Sequence, residues 1–445
     1  MNNPHTTKWK EVTLETISTI EMGQSPSSST YNNQGVGLPF FQGKAEFGKI
    51  HPTATKWCSS PNKVANIGDI LLSIRAPVGP INIADQKCAI GRGLAAVQAK
   101  PGVESGYLAY FLQSSERKLA SMATGSTFPA VTGKVIRELP ILLPPTNEQR
   151  RIADKLDRML ARVDAANEHI SRVAPLIKRF RQSVLEAAIS GRLTEDWRDA
   201  HKIGKNWLET SLGAIITEMR NGISNKPDEN PSGCKILRIS AVRPLLLDTS
   251  DHRIISLDKE TIFLYSLQKG DILFTRYNGS LEFVGACAVF PEEQETFVYP
   301  DKLIRVRIDE AIVLPQFLAL TCSAKSARKQ IEGFIKSSAG QKGVSGKDLK
   351  TVELALPPIA EQSEIVRRVE KLFAFADRLE ERLSQAQAAV QKLTPALLAK
   401  AFRGELVPQD PNDEPASELL KRLQESRAND TKPRRARKPR AKKSP

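Results

Sequence analysis

Residues 143–194 read LPPTNEQRRIADKLDRMLARVDAANEHISRVAPLIKRFRQSVLEAAISGRLT, and residues 356–407 read LPPIAEQSEIVRRVEKLFAFADRLEERLSQAQAAVQKLTPALLAKAFRGELV. At an offset of 213 the two stretches align without a gap over 52 residues, and 14 positions are identical. Average residue usage would leave roughly three identities by chance, so the pair is an internal duplication. The first block of identities is Leu143, Pro144, Pro145, Glu148, Gln149 and Ile152, opposite Leu356, Pro357, Pro358, Glu361, Gln362 and Ile365. The last block ends each copy at Gly191-x-Leu193 and Gly404-x-Leu406.

Each copy predicts one long helix. The Pro-Pro pair disfavours helix before it, and Glu148 or Glu361 in the first turn complements the helix dipole. Apolar residues then recur at alternating spacings of four and three: Ile152, Leu156, Met159, Val163, Ala166, Ile170, Val173, Ile177, Phe180 and Val184. The second copy gives Ile365, Val369, Leu372, Ala376, Leu379, Leu383, Ala386, Val390, Leu393 and Leu397. That is a coiled-coil seam rather than the wider face of a globular helix. Gly191 and Gly404 stand where a helix should stop. Pro175 and Pro395 fall inside and should kink or split their helices. A seam of this length calls for a partner, and the nearest is the other copy. The expected arrangement is an antiparallel intramolecular coiled coil with pseudo-twofold symmetry, which would act as a ruler between the segments it separates. Two helices packed separately on their own domains remain the alternative.

Outward from the helices, the flanking segments echo each other faintly. Trp9 and Leu14 match Trp207 and Leu212, Gly68-Asp-Ile-Leu71 matches Gly270-Asp-Ile-Leu273, and Val131-Thr-Gly-Lys134 matches Val344-Ser-Gly-Lys347. The sequence between these landmarks differs, so two segments share a scaffold and diverge inside it. GDILLSIRAP and GDILFTRYNG read as a turn followed by a buried strand, and 104–122 and 314–334 as helices. The expected fold class is α+β: two mixed domains with small bent sheets, 1–142 and 201–355, separated by helical repeats at 143–200 and 356–410. A C-terminal extension, 411–445, follows.

The chain has 445 residues, 40% hydrophobic and 26% charged, with a net charge of +15. Residues 427–445 hold nine Lys/Arg and one Asp. Its part TKPRRARKPRAKKSP (431–445) is expected to be disordered; either it holds DNA phosphates nonspecifically or it only solubilises. The N-terminus lacks the order of a signal peptide, and no apolar run approaches the roughly 18 residues of a membrane span. The five cysteines are scattered, without zinc or disulfide spacing, which fits a reducing cytoplasm.

Catalytic signatures are missing. Gly133-Lys134 and Gly346-Lys347 lack the rest of a phosphate-binding loop. The Pro-Pro pairs lack the flanking polar and aromatic residues of an adenine-methylating loop, and Phe283-Val-Gly285-Ala-Cys287 lacks its glycine partner. The five histidines form no cluster, and Asp301 and Asp348 lie too far apart to suggest a nuclease. No catalytic residue, metal ligand or cofactor is therefore expected in this chain. The candidates for contact with double-stranded DNA are loop residues. After the second strand come Arg276, Tyr277 and Asn278, types that pair with base edges or meet phosphate. Arg238 and Arg243 offer guanidiniums, and the Gly-rich stretch around Gln341 and Lys342 offers amides and a cation. Counterparts in the first half are Gln24, Lys44, Arg75, Arg92, Ser126 and Thr127. For each of these an ordinary solvated surface residue stays the alternative.

The duplicated LPP-x2-EQ blocks ending in G-x-L resemble the specificity subunits of type I restriction-modification enzymes, of the enterobacterial-type branch, over nearly the whole chain. KRFRQSVLEAAISGRLTEDWR (178–198) and LLAKAFRGEL (397–406) resemble that branch's helical repeats. GDILFTRYNGSLEFVG and YPDKLIR resemble one of its second recognition domains, whereas the first half resembles no particular one. The resemblance implies two target recognition domains, each reading one half of a bipartite DNA site, with the helices as spacer. It implies no catalytic residue here. Two modification subunits carrying S-adenosylmethionine and two restriction subunits using ATP and Mg would dock on this chain, with no membrane involved. A DNA-bound regulator or coiled-coil adaptor without restriction partners is the other reading.

Overall fold

The structure, a computed structural model, describes residues 8–125, 129–225, 233–338 and 341–430. It divides into two compact units, Met1–His169 with Ala386–Pro445, and Ile170–Gln385. Each is built to the same plan.

The first unit holds a four-stranded antiparallel sheet made of β1 (Ser18–Met22), β2 (Ile70–Ser73), β3 (Ile81–Ile83) and β4 (Leu94–Ala99), in the spatial order β1-β4-β2-β3. The second holds β5 (Ile216–Asn221), β6 (Ile272–Thr275), β7 (Cys287–Val289) and β8 (Leu303–Ile308), in the corresponding order β5-β8-β6-β7. A two-stranded ribbon closes each globular segment by pairing its two ends, Lys10–Thr13 with Pro140–Leu143 and Leu208–Ser211 with Glu353–Leu356. A further small sheet in each is organised around a parallel pair, Phe40 beside Ala89 and Ile236 beside Val298.

The Gly-Asp landmark has a local cause. Gly68 and Gly270 adopt φ of 85° and 90°, where a side chain is disfavoured. The next residue folds back, Asp69 Oδ2 accepting from Asn66 N at 2.7 Å and Asp271 Oδ2 from Gln268 N at 2.8 Å. The turn so closed feeds an apolar strand, Ile70–Ser73 or Ile272–Thr275, buried at every residue.

The duplicated stretches form α1 (Thr146–Ile189) and α2 (Ile359–Phe402), 44 residues each. The residues expected in the seam are buried or half-buried throughout, save Leu393, which is 44% exposed. Thr394 is half-buried in its place, so the spacing slips by one residue beside Pro395. Neither Pro175 nor Pro395 splits its helix, so of the two expected effects splitting does not occur. Both helices end ahead of a left-handed glycine, Gly191 at φ 78° and Gly404 at φ 75°. Within the second unit, Phe180 of α1 meets Phe375 of α2, and Arg181 pairs with Asp377 at 2.6 Å and Glu380 at 3.1 Å. Within the first unit, Ile152 and Leu156 share a core with Leu398 and Ala401. As α1 advances its neighbour on α2 recedes, so the pairing is antiparallel.

The Glu-Gln pair at the head of each helix does more than complement a dipole. Both residues are buried in both copies. Gln362 Nε2 donates to the carbonyls of Pro357 and Ile312, and its Oε1 accepts from Leu314 N; Gln149 repeats this with Pro144 O and Glu104 N. Glu361 accepts from Thr194 Oγ1 at 2.7 Å, Arg198 Nη1 at 2.5 Å and Trp207 Nε1 at 3.1 Å. Glu148 has no such set, and its Oε1 is buried without a partner among the described residues.

One helix was not foreseen. α3 (Ala416–Asp430) buries Ala416 and Leu419 in the core of the first unit. The stretch 431–445, expected to be disordered, lies outside the described residues.

Candidate nucleic-acid interface

Loops leaving the main sheet converge in each unit through matching backbone hydrogen bonds. In the second unit Ile223 N donates to Tyr299 O, Arg276 N to Lys302 O, and Val344 N to Arg276 O. In the first, Gln24 N donates to Ile90 O, Ile74 N to Gly93 O, and Val131 N to Ile74 O. Arg75 pairs with Ala130 as Tyr277 pairs with Gly343. Arg75 therefore occupies the place of Tyr277, not that of Arg276, and Arg92 the place of Asp301.

In the second unit these loops wall a cleft of about 680 Å³. Arg238, Arg243, Tyr277, Asn278 and Gln341, drawn from three distant stretches, all line it. Three residues not foreseen join them, Arg253, Asp301 and Lys302, so four cations face one carboxylate. The motif YPDKLIR carries two of these three; the sequence offers Asp301 only as half of a rejected nuclease pair, because nothing local says that Asp301 and Lys302 share a cleft with residues 238 and 341. Arg276 does not line the cleft. Its guanidinium carbon sits 4.8 Å from the Tyr277 ring centroid and its Nε is buried. Lys342 faces a separate shallow hollow with Glu282 and Glu332.

Tyr277 is held from several sides. Lys302 Nζ lies 5.1 Å from its ring centroid, and a Cβ on Gly343 would come within 2.3 Å of two ring carbons. Gly343→Ala should therefore displace the ring and weaken binding of the preferred duplex about tenfold while leaving most other unit-two amides protected from hydrogen exchange. Unchanged sequence preference would show that the position of Tyr277 does not matter.

Directly after Asp301 and Lys302 in the chain, β8 carries Arg305, 1% exposed, and Arg307 on one face. Arg305 Nη2 reaches Glu218 Oε1 at 2.6 Å and its Nη1 donates to Ser266 O; Arg307 pairs with Asp271 at 2.7 Å and Glu218 at 3.1 Å. Burial pushes the Glu218 carboxyl up, but Arg220, Arg305 and Arg307 together hold it below its ordinary value.

In the first unit Gln24 and Arg92 come together, Arg92 N donating to Oγ of Ser25. A Cβ on Gly93 would lie 2.0 Å from Gln42 O, which brings the loop carrying Lys44 beside them. Gln24, Lys44, Arg75 and Arg92 are all exposed, and a 1050 Å³ hollow in this unit has none of them in its wall. Ser126 and Thr127 lie outside the described residues. Among the described residues no cluster of His, Cys, Asp and Glu could hold a metal, and no helix is long and apolar enough to cross a membrane.

The family model for the type I restriction modification DNA specificity domain matches residues 6–173 and 205–386. The chain belongs to that family. Each matched stretch takes in one globular segment and the first part of the helix that follows it. The specificity subunit of the type I restriction enzyme EcoKI from Escherichia coli (strain K12) is 40% identical over 353 residues, 77% of this chain and 76% of that protein. The StySPI specificity subunit of Salmonella potsdam is 33% identical over 352 residues, again 77% and 76%. Among solved structures, an HsdS subunit from Thermoanaerobacter tengcongensis is 48% identical over 37% of this chain and 40% of that one, with a TM-score of 0.34.

Proposed function

We propose that this chain is the non-catalytic, DNA-reading specificity subunit of a type I restriction-modification complex. The family match over both duplicated halves carries the reading, and the cationic cleft supports it, since guanidiniums, an ammonium and amides are the groups that meet base edges and phosphates. Residues 1–142 and 201–355 are the two readers of a bipartite site, and 143–200 and 356–410 the helical spacer. The partners are two modification subunits bearing S-adenosylmethionine and two restriction subunits using ATP and Mg. The cytoplasm is the compartment, a reading that five free cysteines support.

Exchanging residues 1–142 for the matching segment of another family member should change one half of the methylated site and leave the other intact, as read by genome-wide mapping of methyladenine. If both halves change, or neither, the modular reading fails. Removing residues 431–445, which hold eight Lys/Arg and no acid, should weaken all duplexes alike and flatten the salt dependence of binding. A selective loss on the preferred site would instead make the tail part of the reader.

A further inference from the structure

Of the three amides that line the second-unit cleft, Asn225, Asn278 and Gln341, the last two have their orientation settled by their neighbours. Asn278 Oδ1 accepts from Ser280 N at 3.0 Å. Gln341 Oε1 accepts from Lys302 Nζ at 3.1 Å. A backbone N–H and an ammonium only donate, so in each case the amide oxygen is the atom facing them. What each amide then offers the cleft is its NH2 group. Arg238, Arg243, Arg253 and Lys302 also only donate, and Asp301 is the one carboxylate in the wall.

This polarity decides which base edge fits. An amide reads adenine in the major groove by two bonds at once, its oxygen accepting from N6 and its nitrogen donating to N7. Asn278 and Gln341 have the oxygen half of that pair already engaged. Guanine presents two acceptors, O6 and N7, to the same groove, and its partner cytosine presents the N4 amino donor. Donors on the wall suit the purine, and a single carboxylate suits the pyrimidine.

Resting on the DNA-reading function above, we propose that the second-unit cleft reads a G·C pair, Asn278 and Gln341 donating to guanine and Asp301 accepting from cytosine N4. Asn278, whose residue type alone suggested adenine, is thereby a guanine-side donor. Lys302 acts as a positioning residue, since its ammonium turns the Gln341 amide.

The test uses the full chain with its modification subunits. Methyladenine mapping first defines the site, and exchange of residues 201–355 shows which half the second unit reads. Duplexes then carry 7-deazaguanine or 7-deazaadenine, which lack the N7 acceptor, at each purine of that half. The expected result is about tenfold or greater weakening at one guanine and little change at the adenines. Gln341→Glu, which replaces a donor by an acceptor on an exposed side chain, should abolish guanine preference at one position and leave the other half-site unchanged. Sensitivity confined to adenine N7, or a half-site without a G·C pair, overturns the proposal while leaving DNA reading intact. A site preference that fails to follow the exchanged segment overturns both.

Discussion

Glu361→Gln should destabilise the second unit by about 3 kcal/mol or more, whereas Glu148→Gln should leave the first unit as stable or make it more so. The two residues are duplicates at the head of α1 and α2, yet their surroundings differ. Glu361 is the buried partner of Arg198, itself only 8% exposed, and losing the carboxylate strands that guanidinium without a counter-charge. Of the three donors around Glu361, Trp207 has its counterpart in Trp9 beside Glu148, but the positions equivalent to Thr194 and Arg198 are Val407 and Pro411, whose side chains donate nothing. Burial is the main influence on Glu148 and pushes its carboxyl up, with Trp9 and Arg151 opposing. A carboxyl raised in the folded state contributes its full stability below the unfolded value and loses it as pH rises through the folded one. The gain from Glu148→Gln should therefore be present near neutrality and vanish on acidification. Amide hydrogen exchange in each unit, followed from about pH 4 to 7, reads both effects. Equal losses from the two substitutions would refute the asymmetry.

Arg305→Ala should cost the second unit about 3 kcal/mol, and Arg305→Met should recover much of it. The side chain fills fully buried space against Tyr299, so alanine leaves a cavity as well as removing one of the two donors to Ser266 O and one of the two to Glu218 Oε1. Methionine restores volume without charge, and Arg220 and Arg307 still neutralise Glu218. Because Glu218 is held below its ordinary value, its contribution is present above the unfolded carboxylate range and is lost as pH falls through the folded value. Denaturant unfolding at neutral pH gives the ranking; methionine as harmful as alanine would make the charge, not the volume, the essential property.

What was legible in the sequence was periodic or repeated. The helix heads at Pro145 and Pro358, the glycine stops and nearly the whole seam could be read, because a 44-residue helix repeats one physical requirement many times. Leu393 failed because Pro395 shifts the local register, which a fixed spacing cannot anticipate. The prolines did not split their helices because packing along the seam outweighs one missing hydrogen bond at each. α3 escaped notice since its two core residues, Ala416 and Leu419, belong to a core drawn mostly from residues 9–156, more than 250 positions earlier in the chain. The candidate site was legible by residue type but not by assembly. Arg238, Tyr277 and Gln341 were singled out separately, and only the fold brings them together and turns Arg276 onto its neighbour's ring.

The first unit is built from both ends of the chain, whereas residues 170–385 make the second without interruption. Leu398, Ala401, Ala416 and Leu419 belong to the same core as Leu14 and Leu108, and Phe402 packs 5.2 Å from Tyr107. During synthesis the N-terminal segment therefore emerges first and finishes last. The inserted unit can complete its core on leaving the ribosome, while residues 8–143 hold apolar surface open until α2 and α3 arrive. Closing a loop of that length adds only slowly growing entropy, so the native state bears little of the cost; the delay falls on the nascent chain. A protein of this construction depends, for its first-made segment, on residues translated only after the whole inserted unit.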